Sequence, residues 1–169
     1  MSVRTVSILW LLLCMGRGAL ADGKLADLDT RNGFRELHFG DAVPEAMTLV
    51  TTDGKTSYYT RRSDDLTIGA AKAQRISYKF YGGHLAGVLI ETKGAADSHA
   101  LLDVLKKDYG PGNKSNQFLE DRLWKGERVL LSYQENPTKD AKVMFHNIPL
   151  LEEEETDKAN AAKKGVRNL

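Results

Sequence analysis

The side chains that could carry chemistry are few and scattered. The four histidines are His38, His84, His99 and His146. No two of them stand at the i,i+3 or i,i+4 spacing of helical metal ligands, and none lies in an H-E-x-x-H motif. No metal site and no cofactor is predicted. The chain has no G-x-S-x-G, no P-loop and no G-x-G-x-x-G. The glycines at 82–83 and 110–112 read as turns rather than as phosphate cradles. Glu120 and Asp121 are adjacent in a strand-like segment, where neighbours face opposite ways and cannot share a proton or a ligand. Asp64-Asp65 reads as turn chemistry.

One segment has the composition of a recognition surface. Tyr58-Tyr59-Thr60-Arg61-Arg62 mixes rings and guanidinium groups, which can stack on planar ligands or sugar rings. Trp124, just before a glycine turn, would complete such a wall if it were exposed beside them. Tyr58, Tyr59, Arg61 and Trp124 are therefore the candidate ligand- or partner-binding residues. The competing explanation is packing, with one tyrosine facing the core and Trp124 at a core edge.

The elements that must position these residues follow a leader. Arg4 precedes an apolar run from Val6 to Met15, and a small-residue stretch ends in Ala19-Leu20-Ala21. This three-part pattern predicts a signal peptide over 1–21, cleaved between Ala21 and Asp22, and a periplasmic or secreted product. The run falls short of the roughly 20 residues that cross a membrane, so no integral span is expected after cleavage. Cys14, the only cysteine, follows Leu13, whereas bacterial lipid attachment normally needs a small residue there. It is read as discarded with the leader rather than lipidated. The mature chain then has neither disulfide nor thiolate. It retains 148 residues, enough for one domain with its own core. Losing Arg4 and Arg17 leaves 22 basic against 23 acidic residues. This near-neutral balance argues against nucleic acid.

Residues 22–33 are polar and aperiodic and read as a flexible mature N-terminus. The 34–149 segment reads as a single domain. It opens with a short strand over Phe34–Phe39, after which Asp41 could cap a helical turn through Pro44–Ala46. Asp53-Gly54 predicts a hairpin between runs 47–52 and 55–61. Residues 66–73 read as loop or helical turn. Alternation over Ile76, Tyr78 and Phe80, then Gly82-Gly83, predicts a second hairpin. Leu101, Leu102, Leu105 and Tyr109 recur at helical spacing, capped by Asp97 or Ser98 and stopped at Gly110-Pro111-Gly112. A third hairpin turns at Lys125-Gly126-Glu127, and a last strand covers 141–146. Residues 150–169 form a charged helical or disordered tail. Successive hairpins around one good helix predict an α+β domain, an antiparallel sheet with one main helix on one face.

Phe34-Arg35-x-Leu37-x-Phe39-Gly40-Asp41, Tyr59-x-Arg61, Ile76-x-Tyr78-x-Phe80, Tyr109-Gly110-Pro111, Trp124 and Leu131-x-Tyr133 together resemble small uncharacterised exported bacterial proteins over most of residues 34–146. The resemblance implies a periplasmic domain and supplies no active-site residues. At the level of element order the chain is similar to small accessory proteins of outer-membrane assembly. The functional expectation is an exported, non-enzymatic interaction module, accessory to a cell-envelope complex, with an envelope protein as partner. Its oligomeric state is not readable from the sequence. Such a module should expose an apolar patch or a free sheet edge. The alternatives are a small-ligand-binding domain and a hydrolase with a dispersed site, which would need a histidine with a carboxylate or serine in a cleft.

Overall fold

The computed structural model describes residues 19–114 and 118–167. The leader through residue 18, and Cys14 with it, lies outside the described residues. The elements are α1 (Ala19–Arg31), β1 (Gly33–Phe34), β2 (Leu37–His38), β3 (Met47–Asp53), β4 (Thr56–Arg61), β5 (Thr67–Ile68), β6 (Ala71–Tyr81), β7 (His84–Thr92), α2 (Gly94–Tyr109), β8 (Asp121–Lys125), β9 (Val129–Glu135), β10 (Ala141–Asn147) and α3 (Ile148–Arg167). The fold is α+β. An antiparallel sheet runs in the order β3-β4-β6-β7-β10-β9-β8, with β5 paired to β6 as its eighth strand.

The core follows from alternation along the strands. Tyr78, Val88, Phe145, Leu131 and Trp124 are cross-strand neighbours in one row, and Ile76, Ile90, Val143 and Tyr133 form the next. All are buried. Leu101, Leu102, Leu105 and Tyr109 of α2 close over these rows. Tyr109 meets Phe145 edge-on at 6.4 Å between centroids, a favoured aromatic geometry.

Local turn chemistry sets the registers. Asp53 pairs with Thr56, so the first hairpin turns on Gly54-Lys55, one residue later than the Asp-Gly pair suggests. Only Gly54 needs a positive φ there (+57°), as in a turn with glycine at its first central position. Residues 66–73 are not a helical turn. They form β5, a tight turn and the start of β6. The caps also differ from expectation. Asp41 accepts the His38 backbone N–H at 2.8 Å rather than capping forward. Helix α2 starts at Gly94, before Asp97 and Ser98, and its N-cap Lys93 offers no side-chain bond. Asp140, at the mouth of β10, accepts the Gly94 N–H at 2.8 Å, while Asp97 accepts from Lys72. A distant carboxylate thus serves the helix end.

The N-terminal segment read as flexible is helical through Arg31, and α1 continues across the expected cleavage junction at Ala21–Asp22. It lacks a continuous apolar stripe but is fixed by tertiary contacts. Leu28 is 2% exposed within the core. Asp29 accepts the backbone N–H groups of Glu127, Arg128 and Val129 at 2.7–2.9 Å, tying α1 to the β8–β9 turn.

The outer face of the sheet carries α3. Asn147 caps it by accepting the Leu150 N–H at 3.1 Å. Glu154, the third of the four consecutive glutamates after Leu151, turns inward while Glu152, Glu153 and Glu155 are exposed, and is 2% exposed. It is bonded by Lys79 of β6, by Lys158 at 2.8 Å and by Thr56 of β4 at 3.3 Å. Burial pushes its carboxyl up, but Lys158 and Lys79 outweigh that and hold it below the ordinary carboxylate range.

Candidate interaction surface

The fold separates the four residues singled out from the sequence. Tyr58, Tyr59 and Arg61 share β4, whereas Trp124 lies on β8, five strand spacings or roughly 24 Å away. Trp124 is 1% exposed, and its indole N–H donates to the Gly110 carbonyl at 2.9 Å. Burial removes it from any surface site. Tyr59 turns inward and meets Phe80 edge-on at 5.2 Å. Tyr58 faces outward opposite Lys79 and Thr51 and is half-buried. The wall of rings expected from the sequence is not assembled.

Arg61 belongs instead to a polar cluster at the inner end of β4. It bonds Glu36 of the β1–β2 turn, and its guanidinium lies over the Tyr78 ring at 5.8 Å. Arg61 holds the Glu36 carboxyl below its usual range. Asp64, whose side chain is 5% exposed, accepts from the Tyr78 hydroxyl at 2.8 Å and from Arg35 at 3.2 Å. Burial and that hydrogen bond push the Tyr78 phenol well up. Arg35 sits at φ +57°, unusual for a long side chain, and is held there by Asp64, by the Asp65 carbonyl and by stacking on Phe34 at 5.0 Å. The cluster fastens the β1–β2 hairpin to the sheet. Asp65 does act in a turn, accepting the Thr67 N–H at 2.8 Å.

The nearest approach to a catalytic pair is at the other end of the sheet. His99 Nε2 lies 3.1 Å from Glu135, which also accepts from Tyr133 at 3.1 Å and Lys139 at 2.7 Å. Burial raises the Glu135 carboxyl, and Lys139 and Tyr133 outweigh it, leaving it lowered and ionised at neutral pH. A carboxylate with three donors is a structural acceptor. Ser98, next to His99, is buried and directed at Thr92 and the Lys139 carbonyl, both 2.8 Å away. Ser98 is thereby turned away from the imidazole.

A groove of about 490 Å³ opens beside this pair, lined by Glu91, Asp121, Gln134, Glu135, Asp140 and Lys142 among others. Most of its charges are spoken for. Glu91 pairs with Arg75 and Lys142, and Asp140, lowered to about 2 chiefly by Lys93, bonds Lys93 and Gly94. The groove touches none of Tyr58, Tyr59, Arg61 and Trp124. No group of three or more His, Cys, Asp or Glu residues poised for a metal occurs among the described residues. No helix among them is long and apolar enough to cross a membrane.

The surface that stands out is β3. Among the described residues it has one neighbour, β4, and no strand pairs with its other edge. Six of its seven residues are exposed. Leu49 and Val50 are 53% and 59% exposed, large apolar side chains in contact with water. The run Thr48-Leu49-Val50-Thr51-Thr52 holds no charge and no proline, two devices that normally blunt an edge. A bulge between Leu49 and Thr51 is the one such device present. Sequence patterning marks 47–52 as a strand, but being at the edge is a property of the strand order. Compared with protein-family models, curated proteins and solved structures, the chain matches none, so its functional reading rests on this geometry.

Proposed function

We propose that this chain is an exported, non-enzymatic interaction module of the cell envelope, and that it engages its partner by strand addition at β3. One observation supports the reading above the others: an open edge strand whose run 48–52 is uncharged and rich in β-branched residues, with two exposed apolar side chains. Edge pairing supplies main-chain hydrogen bonds for affinity, and alternate side chains give specificity. Tyr58, outward-facing on the adjacent strand, widens the contact. The leader accounts for the compartment, and a mature N-terminus at Asp22, read by mass spectrometry, tests it.

The edge reading is tested by placing a photo-crosslinking residue at Thr51 and, as a control, at Thr138 in the distant β9–β10 turn. Adducts in envelope fractions are expected from position 51 and not from 138, and Val50→Lys should suppress them. Equal labelling from both positions, or labelling indifferent to Val50→Lys, would overturn the proposal.

A further inference from the structure

The joint between α1 and β1 holds the only Asn-Gly pair of the chain, Asn32-Gly33. The fold calls for both residues. Asn32 sits at φ +39°, a left-handed backbone that asparagine tolerates better than most side chains. A Cβ at position 33 would run into the Leu37 carbonyl oxygen, so glycine is the residue that fits. We propose that this joint is a site of spontaneous covalent modification, at which Asn32 closes a cyclic imide with Gly33 and opens to aspartate and isoaspartate.

The reaction needs an unrestrained carboxamide and an unrestrained amide nitrogen beside it. The Asn32 Oδ1 is buried without a hydrogen-bond partner, and among the described residues no hydrogen bond holds its Nδ2. Gly33 stands opposite His38 in the β1–β2 hairpin. The Phe39 N–H donates to the Asn32 carbonyl at 2.8 Å, so position 32 faces β2. By alternation Gly33 turns its N–H away from the ladder, and no second strand flanks β1 among the described residues. The missing side chain leaves that nitrogen unshielded. Other asparagines lack this combination. Asn136 precedes Pro137, whose nitrogen carries no hydrogen. Asn147 is engaged by the Leu150 N–H, and Asn160 lies within α3, where the following amide is held in the helix ladder.

Hydroxide takes the Gly33 amide proton and the nitrogen attacks Asn32 Cγ. The new C–N bond closes the imide, the Cγ–Nδ2 bond breaks, and ammonia leaves with a proton from water. Water then opens the ring. Addition at Cγ gives aspartate, and addition at the α-carbonyl gives isoaspartate. The sum is one water consumed and one ammonia released, with no oxidant or reductant. Isoaspartate routes the chain through the former side chain, adds a methylene to the joint and displaces the carbonyl that accepts from Phe39. Helix α1, seated through Leu28 and Asp29 just before the joint, should loosen.

Incubation of the full chain in mildly alkaline buffer, with peptide mapping by mass spectrometry, tests the site. Conversion at Asn32 is expected to outpace that at Asn113 and Asn160 by about tenfold or more, and to run within about tenfold of its rate in the urea-unfolded chain. Asn32→Gly, which suits the left-handed backbone and has no carboxamide, should form no product there. Hydrogen exchange at Leu28 and Phe39 should rise several-fold in the converted chain and stay unchanged in incubated Asn32→Gly. Conversion no faster than at Asn113 or Asn160, or slowed by folding more than about tenfold, would overturn the site. Conversion that leaves exchange at Leu28 and Phe39 unmoved would overturn its effect on α1.

Discussion

The two edges of the sheet are opposites. At the β8 edge the chain folds back on itself: Asn113 and Leu123 exchange backbone hydrogen bonds at 2.8 and 2.9 Å. Trp124 lies buried beneath that segment, and Asp29 of α1 pins the adjoining turn. At the β3 edge no comparable segment returns among the described residues. Where the backbone is covered, the adjacent side chains are core. Where it is open, Leu49 and Val50 stand in water. The contrast teaches that an open edge here is a local feature of β3 and not a general looseness of the sheet.

The largest expected difference between the edges comes from removing the tryptophan. Trp124→Ala should cost about 3–5 kcal/mol, through lost burial and the cavity left behind, and denaturant unfolding measures it. A loss below about 1 kcal/mol would mean that the β8 edge is not sealed as described. Next is Gly112, at φ +68°, where a Cβ would meet the Trp124 ring at 2.6 Å. Gly112→Ala should cost about 1–3 kcal/mol by the strain and the clash, again read from the unfolding midpoint.

Acid should act on the side nearer β3. Glu154 is held below the ordinary carboxylate range in the folded chain, so its contribution is present above its unfolded pKa and is lost as pH falls through the lowered folded value. His146 adds to this. Burial and then the Lys79 charge lower its pKa, so acidification below the ordinary histidine value also weakens the fold. Hydrogen exchange at Leu150–Lys158 should therefore rise on acidification before exchange in β8 does, and Glu154→Gln, which cannot titrate, should raise that exchange already at neutral pH and reduce its dependence on pH. Simultaneous loss of protection throughout would sink this. The smallest effect on stability belongs to Val50→Lys, within about 0.5 kcal/mol, because its side chain packs little. The same substitution should have a large effect on association. That pairing of outcomes is the sharpest statement of the difference between the edges.

Much of the fold was legible from local pattern. Alternation over Ile76–Phe80, the glycine pair at 82–83 and the helical recurrence of Leu101, Leu102, Leu105 and Tyr109 each encode their element directly, because side-chain periodicity and turn dihedrals are short-range properties. The α+β class followed from their order. What remained illegible depended on distant contacts. Helix α1 reads as polar and aperiodic, yet Leu28 and Asp29 anchor it from about 100 residues away. The end of α2 is capped by Asp140 rather than by its own first turn. The four candidate residues are held apart by contacts of the same long-range kind. Tyr58-Tyr59-Arg61 and Trp124 have the composition of a recognition surface, but composition does not say which strands are neighbours.

The sequence by itself determined the strands, the main helix, the turns and the charge balance, since those depend on residues within a few positions of one another. Only the tertiary structure decided that Trp124 is sealed inside, that Arg61 fastens a hairpin through Glu36, and that β3 is left at an open edge. Strand order is set by packing the whole sheet against its helices, and no local spacing encodes which strand ends up last.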